Sequence, residues 1–206
     1  MLAEKLTPLD LSADPLVLAL PRGGVPIATR VAAVLDADVD LLLVRKLGHP
    51  AQPELAMGAI ASTGGRVINP DTSRGVQEDE LSRIEADERR ELQRREQAFR
   101  GDRPSPDVSG RDVVVVDDGV ATGSTIQAAT SAVRTGEPRR VVIAVPLAPP
   151  SAIPQLKEIA DVVVCPQTPE PFVSIGQWYE NFTQLSDADV QRALHDAWAP
   201  HASGSS

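Results

Sequence analysis

Short apolar runs rich in β-branched residues recur along the chain and alternate with stretches of helical periodicity. The runs cover residues 16–20, 39–44, 56–61, 112–116, 140–145 and 161–165. They are continuously apolar, which is typical of parallel strands buried on both faces. Helices are predicted over residues 25–35, 124–135, 151–159 and 187–198, the last with Ser186 as its N-cap. The pattern predicts an α/β fold with a doubly wound parallel sheet.

The segment 78–100 has a different pattern, because acidic residues and arginines alternate there. Its apolar positions form only a thin line, which consists of Leu81, Ile84, Leu92 and Phe99. Three acid-first i,i+4 pairs support a helix, namely Glu85–Arg89, Glu91–Arg95 and Glu96–Arg100. We expect an exposed, self-supporting helix, with a contact between the protomers of a homodimer as the alternative. Residues 101–110 are predicted to form a linker, and residues 200–206 a disordered tail.

Length and charge limit the classes of function. A chain of 206 residues suits a single domain, here predicted over 1–199. The formal net charge of −9 disfavours a nucleic-acid partner, because binding to phosphate backbones needs a basic face. The lone Cys165 has no partner for an internal disulfide, and no apolar run approaches the roughly 20 residues that cross a bilayer. We therefore expect a cytoplasmic protein that acts on small molecules and has no membrane partner.

An acidic pair follows the four consecutive valines that precede residue 117. Asp117 and Asp118 should emerge at the carboxyl end of a central strand, where open α/β sheets bind ligands. The small residues that follow lead into a helix whose free N–H groups and dipole suit a phosphate. We predict that this phosphate cradle consists of Gly119, Val120, Ala121, Thr122, Gly123, Ser124 and Thr125.

The acidic pair and the cradle together indicate a ligand with two different parts. Ionised carboxylates accept hydrogen bonds, so vicinal hydroxyls are suitable partners for Asp117 and Asp118. A sugar phosphate meets both requirements. The alternative is that the two acids only shape a turn and cap the helix. The loop lacks the lysine of an ATPase P-loop, which excludes that class of phosphate site.

Residues 113–125 resemble the signature with which type I phosphoribosyltransferases bind phosphoribosyl pyrophosphate (PRPP). The resemblance implies a Rossmann-like parallel sheet with a small hood, here expected from parts of 1–15 and 166–185. It also implies transfer of the 5-phosphoribosyl group from PRPP to a nitrogenous base, with release of pyrophosphate. In this family Mg²⁺ assists the reaction, and Asp117 and Asp118 would hold it indirectly through the ribose hydroxyls and water.

Two further segments would hold the leaving group. Arg22, Gly23 and Gly24 follow the first predicted strand and form a second glycine-bearing turn before a helix. By resemblance this turn is the pyrophosphate loop. Arg45 and Lys46 end the next strand, and they are similar to the Arg-Lys pair of a flexible loop, about 46–56, that closes over PRPP. His49 is either a further ligand of pyrophosphate or a solvated histidine.

The acceptor is less well defined by the sequence. Ala121 stands where the hypoxanthine-guanine branch has an acid, so the adenine, uracil and orotate branches are the better match. In the segment 170–182, Phe172 and Trp178 are candidates to stack on a base and Glu180 to accept its N–H, or the aromatic residues only seal the hood. The predicted activity is phosphoribosyl transfer, and the alternative is a PRPP-sensing regulator with little turnover.

Overall fold

The computed structural model describes residues 2–199, so the predicted tail at 200–206 lies outside the described part of the chain. The helices are α1 (Leu2–Leu6), α2 (Gly24–Leu35), α3 (Glu78–Arg100), α4 (Ser124–Arg134), α5 (Ile153–Ile159) and α6 (Asp187–Trp198). The strands are β1 (Leu16–Ala19), β2 (Asp38–Leu41), β3 (Val44–His49), β4 (Gln52–Ala61), β5 (Arg66–Ile68), β6 (Asp112–Val116), β7 (Arg140–Ala144) and β8 (Val162–Val164). Short 3₁₀ turns cover Pro150–Ala152 and Gly176–Trp178.

Five parallel strands form the main sheet in the order β2-β1-β6-β7-β8, which confirms the predicted doubly wound sheet. The chain leaves β1 toward β2 on one side and leaves β6 toward β7 on the other. The switch point of the topology therefore lies between β1 and β6, whose last residues Ala19 and Val116 are paired. Because the loops after these two strands start side by side, this is the position where such sheets bind ligands.

Alternate residues of the central strands enter two apolar layers, one on each face of the sheet. Val114 and Val116 pack in the layer that includes α2 and α6, and Val113 and Val115 pack in the layer that includes α4 and α5. All five residues of β6 are buried. A strand that is buried on both faces has no polar position to alternate with, which explains its continuous run of valines.

A second sheet corrects the prediction for residues 56–61. These residues belong to β4, which pairs antiparallel with β3 and β5 in a three-stranded sheet and not with the parallel strands. The predicted strand 39–44 is likewise divided, because β2 ends at Leu41 and β3 begins at Val44. The predicted flexible loop 46–56 is a hairpin of β3 and β4 with a short turn at residues 50–51. Only the carboxyl half of β4 is buried, and that apolar half resembles a parallel strand in sequence.

Helix α3 has the predicted bounds, but it is not an exposed, self-supporting helix. It contacts β3, β4 and α6, and it buries Leu81, Leu92 and Phe99. Two of the three predicted ion pairs form, Glu85–Arg89 and Glu96–Arg100. The third does not, because Glu91 binds Arg94 through both carboxylate oxygens. Tertiary packing therefore fixes the helix, and the predicted homodimer contact stays a prediction.

The carboxyl end of α3 is joined to the main sheet by a buried ion pair. The Arg100 guanidinium donates from Nε and Nη2 to Oδ1 of Asp40 in β2, at 3.0 and 2.9 Å, and from Nη2 to the carbonyl of Leu41. The side chains of Arg100 and Asp40 are 2% and 4% exposed. Asp40 also has a longer ion pair with Arg103, at 3.6 Å, so the closer pair with Arg100 is the one that fixes α3 against β2.

We expect Arg100→Ala to destabilise the fold by about 3 kcal/mol, because the buried carboxylate of Asp40 would keep only its longer ion pair with Arg103. Urea unfolding monitored by circular dichroism measures the change in the free energy of unfolding. Arg90→Ala is the matched control, since Arg90 pairs with Asp87 on the solvent side of the same helix. A similar small effect of both substitutions would contradict the anchoring role of Arg100.

The segment near the amino terminus lies at the amino ends of the parallel strands, whereas Asp117 lies at their carboxyl ends. The backbone N–H of Ser12 donates to Oδ2 of Asp112, the first residue of β6, at 2.7 Å. Arg140, the first residue of β7, donates to the carbonyl of Asp10 at 2.6 Å. Residues 10–12 therefore contact the amino ends of the strands and do not form the predicted hood at the carboxyl ends. Within residues 2–199, no helix is long and apolar enough to cross a membrane.

Candidate active site

The acidic pair lies where the loops after β6 and β1 meet. The backbone N–H of Asp118 donates to Oδ1 of Asp117 at 2.9 Å, which orients the first carboxylate. A Cβ placed on Gly23 would lie 1.8 Å from Oδ2 of Asp118. A Cβ on Gly24 would lie 2.7 Å from the carbonyl oxygen of Val116. The loop after β1 therefore touches the acidic pair, and the close approach depends on two residues without side chains.

Burial and mutual repulsion disfavour the charged form of these acids. Burial, followed by the neighbouring charge of Asp118, raises the pKa of Asp117 well above its usual range. Burial also raises the pKa of Asp118. Among the described residues, no Arg, Lys or His forms an ion pair with either carboxylate. The pair is thus a strong acceptor site whose charge is not compensated by the protein.

The cradle follows at the start of α4. Its N-cap, Gly123, has a left-handed backbone with φ of +78° and provides no side-chain hydrogen bond to the helix. The first N–H groups of α4 thus lack a side-chain cap, and they carry the partial positive charge of the helix dipole. Residues 117–126 and Ile175 line a cavity of about 180 Å³. This size and polarity suit one phosphate group next to the two acids.

In the predicted pyrophosphate loop, the backbone of Gly23 and Gly24 adjoins the acidic pair, whereas the Arg22 side chain forms no ion pair with either acid. The Arg22 side chain is engaged elsewhere, with Nε 2.9 Å from Oδ1 of Asp187 and Nη1 donating to the carbonyl of Leu185. The peptide bond between Pro21 and Arg22 is cis. Gly23 and Gly24 adjoin the acidic pair, so the loop and the pair face one space.

Arg45 and Lys46 diverge although they are neighbours in sequence. Lys46 Nζ donates to Oγ of Ser124 at 2.7 Å, so its ammonium group reaches the cradle from β3. Arg45 turns to α3, where its Nε lies 2.6 Å from Oε2 of Glu88. Successive side chains of a strand point to opposite faces, which separates the two cations. The structure brings Lys46, but not Arg45, to the phosphate cradle.

His49 lies in a separate groove between the hairpin and α3. Its Nδ1 accepts from the backbone N–H of Ala51 at 3.1 Å, in the turn of the hairpin. The groove has a volume of about 440 Å³, and Lys46 also lines it. His49 is not among the residues that line the cavity of the cradle, so its role as a ligand of pyrophosphate stays a prediction.

The segment 170–182 reaches the site through residues that the sequence did not single out. Ile175 lines the small cavity of the cradle. Tyr179 and Phe182 line a larger cavity of about 670 Å³ that also borders Asp118 and Gly23. None of the three predicted base-binding residues lines either cavity: Phe172 is half-buried, and Trp178 and Glu180 are exposed. Their contact with an acceptor stays a prediction.

Tyr179 connects this segment to the acidic pair. Its hydroxyl donates to the backbone carbonyl of Asp118 at 2.5 Å. Burial, with the nearby charges of Asp118 and Asp117, raises the pKa of Tyr179 to about 12, so the phenol stays protonated as a donor. The segment is irregular apart from the 3₁₀ turn at Gly176–Trp178, so no periodic pattern in the sequence could have identified Ile175, Tyr179 and Phe182.

A model of the phosphoribosyl transferase domain matches residues 7–181. The chain belongs to the phosphoribosyl transferase family. It is 47% identical over 199 residues to "Putative phosphoribosyl transferase Rv0571c" of Mycobacterium tuberculosis H37Rv, and equally to MT0597 of strain CDC 1551. These matches cover 95% of this chain and 44% of each relative, so the chain spans less than half of their length.

A solved structure resembles the whole phosphoribosyl transferase fold described above. The crystal structure of TT1426 from Thermus thermophilus superposes with a TM-score of 0.86 at 45% sequence identity. The match covers 95% of this chain and 93% of that one. The arrangement of the sheets and helices is therefore shared by a second protein of similar length.

The donor set of the candidate site suits Mg²⁺ only together with a ligand. Residues 2–199 contain no group of three or more His, Cys, Asp or Glu side chains that could hold a metal ion. Asp117 and Asp118 provide two adjacent carboxylates, and neither forms an ion pair with a cationic side chain among residues 2–199. Mg²⁺ commonly binds one or two carboxylates and completes its octahedron with water and substrate phosphates. The residues present therefore fit an ion that is bound mainly through the ligand.

The raised pKa of Asp117 predicts an effect of pH on stability. The native state binds the proton of Asp117 more tightly than the unfolded state, so stability falls as the pH rises from the unfolded toward the native pKa. Asp117→Asn removes the titrating carboxyl group and therefore removes this loss of stability. We expect the variant to be more stable than the wild type by about 1 kcal/mol or more at pH 7, with a smaller difference at pH 4. Urea unfolding in the presence of EDTA measures both.

Asp112→Asn is a control that should change the stability in the opposite direction. Asp112 is buried, but hydrogen bonds from Arg139, Ser12 and Arg140 outweigh burial and lower its pKa. Its ionised form is thus stabilising, and its replacement should destabilise the fold increasingly as the pH rises above its native pKa. A loss of stability at pH 7 in Asp117→Asn would contradict the stated electrostatic cost of the acidic pair.

Proposed function

We propose that the chain transfers the 5-phosphoribosyl group of PRPP to a nitrogenous base or a related acceptor, with release of pyrophosphate and with Mg²⁺ as the cofactor. The observation that carries the proposal is the half-buried pair Asp117 and Asp118 directly before the uncapped amino end of α4. Acceptor oxygens and a helix amino terminus in one site suit a ligand with both hydroxyls and a phosphate.

Each part of PRPP has a matching group in this arrangement. The 5-phosphate fits the cavity lined by 117–126, where the first N–H groups of α4 can donate to it. The ribose hydroxyls can donate to Asp117 and Asp118. The diphosphate then faces the backbone of Gly23 and Gly24, which adjoins Asp118. Mg²⁺, when bound, would offset the charge of the diphosphate.

The reaction is a displacement at the anomeric carbon. A bond forms between the acceptor nitrogen and this carbon while the bond from the carbon to the diphosphate oxygen breaks, and the electron pair leaves with the diphosphate. A proton on the attacking nitrogen is released to solvent. Positive charge develops on the sugar in an oxocarbenium-like state, next to Asp117 and Asp118. Carboxylates that the protein leaves uncompensated are well placed to stabilise that charge.

We expect the double substitution Asp117→Asn and Asp118→Asn to abolish PRPP binding and to preserve the fold. An amide retains an acceptor oxygen but loses the charge that strengthens hydrogen bonds from hydroxyls, and it adds donors that repel them. Calorimetric titration with PRPP and Mg²⁺ measures the affinity, and circular dichroism checks the fold. Undiminished affinity of the folded variant would contradict the assignment of the site.

Lys46→Ala should slow transfer more than it weakens PRPP binding, because we expect Lys46 to exchange Ser124 for the leaving diphosphate, whose negative charge grows in the transition state. We expect a loss of about 100-fold in kcat, corresponding to about 3 kcal/mol for one well-placed group. Lys157→Ala is the matched control, since Lys157 lies on α5 and is exposed. An unchanged kcat in Lys46→Ala would remove Lys46 from the reaction.

A panel of nitrogenous bases tests the activity itself. Each base is incubated with PRPP and Mg²⁺, and pyrophosphate release is measured against a reaction without a base. Release that depends on one class of base supports the transferase. Tight binding of PRPP without release for any base would support the alternative, a PRPP-sensing regulator. The absence of PRPP binding would contradict both.

A further inference from the structure

The cavity of about 670 Å³ next to Asp118 contains a guanidinium group that the proposed function has not used. The cavity lies between the loop at Arg22 and Gly23 and the segment with Tyr179 and Phe182. Because it borders both Asp118 and the predicted pyrophosphate loop, an acceptor bound there would adjoin the anomeric carbon of PRPP in the proposed site. This cavity is the space where an acceptor fits.

One wall of the cavity is aromatic. Phe182 is 50% exposed, and its ring packs against Tyr179 with ring centroids 5.3 Å apart and planes tilted by 42°. A Cβ on Gly176 would lie 2.8 Å from this ring, so the glycine makes room for Phe182. A half-exposed aromatic ring at a cavity is a suitable surface for a flat, apolar ligand face.

Arg95 of α3 lines the same cavity. It is half-buried, and within residues 2–199 it has no hydrogen bond and no ion pair. Its expected partner, Glu91, is occupied by Arg94 through two hydrogen bonds of 2.8 Å. Arg22, the other guanidinium of the cavity, is paired with Asp187. Arg95 is therefore the cation of this cavity that has its donors available.

The position of Arg95 is fixed by packing. Gln191 of α6 donates to the carbonyl of Ala98, one turn after Arg95, at 2.5 Å. The buried pair of Arg100 and Asp40 holds the end of the same helix. The guanidinium of Arg95 thus has donors free for a ligand, and its planar fork matches the two oxygens of a carboxylate.

We propose that the acceptor of the transfer reaction is a flat ring that carries an anionic group such as a carboxylate. The anion binds Arg95, and the ring lies against Phe182. This inference rests on the proposed function, because it assigns the second substrate of the same site. Arg95 is then the residue that selects charged over neutral acceptors.

Binding of matched probe pairs tests the inference. Nicotinate and nicotinamide differ in the charge of one substituent, and orotate and uracil differ by one carboxylate. Calorimetry with and without ribose 5-phosphate, which carries no leaving group, measures their affinities in the absence of turnover. We expect the carboxylated member of each pair to bind at least about tenfold more tightly, as is usual for a charge-assisted hydrogen bond. Equal or weaker binding of the carboxylated members would overturn the proposal.

Variants separate charge recognition from ring contact. Arg95→Ala should remove the tenfold preference and leave the affinities of uracil and nicotinamide unchanged, and Arg95→Lys should retain part of it. Arg90→Ala is the control, because Arg90 is 71% exposed and pairs with Asp87 outside the cavity, so that Glu91 stays bound to Arg94. Phe182→Ala should weaken both members of a pair by the same factor. A preference that survives in folded Arg95→Ala would overturn the role of Arg95.

The titration of PRPP into the same variants distinguishes two anionic groups that Arg95 could bind, the carboxylate of the acceptor and the diphosphate of PRPP. An affinity for PRPP that falls tenfold in Arg95→Ala would show that Arg95 binds the diphosphate, and this would overturn the proposal. If the wild type does not bind PRPP but prefers the carboxylated probes through Arg95, the proposed function fails and the anion site stands. If PRPP binds and the preference is absent, only the inference about the acceptor fails.

Discussion

The candidate site is organised around two half-buried carboxylates at the end of a central strand, and no cationic side chain in the described part of the chain forms an ion pair with them. Asp117 and Asp118 follow a strand with no exposed residue, so the fold itself removes part of their surface from water. Burial raises the pKa of both acids, and the native state bears this electrostatic cost at neutral pH. Such a cost is typical of functional sites, because a ligand that donates to the carboxylates can repay it.

The surrounding elements are arranged so that different groups reach this pair from three directions. The loop after β1 approaches through glycines, β3 brings Lys46 to the cradle, and the segment after β8 closes over it with Ile175 and Tyr179. Helix α3 adds Arg95 from the side, and the buried ion pair with Asp40 fixes that helix. A hairpin and a helix outside the main sheet thus contribute cations to a site whose acids belong to the sheet.

The parts of the fold with strong local signals were predictable from the sequence. The valines of β6 are buried on both faces, so an uninterrupted apolar run identifies the strand and places the acids after it. Antiparallel pairing of β4 was not predictable, since its buried half has the same pattern as a parallel strand. The i,i+4 rule assigned Arg95 to Glu91, whereas Arg94 at i,i+3 takes both oxygens. Sequence spacing alone does not show which of the two neighbouring arginines pairs with Glu91. That pairing decides whether Arg95 has free donors in the larger cavity.

The location of bound PRPP tests the central claim most directly. A crystal structure of the protein with PRPP and Mg²⁺ should place the 5-phosphate at the amino end of α4, with the ribose hydroxyls donating to Asp117 and Asp118. The diphosphate should lie against the backbone of Gly23 and Gly24. Density for PRPP in the groove between α3 and the hairpin, with the acidic pair unliganded, would contradict the account.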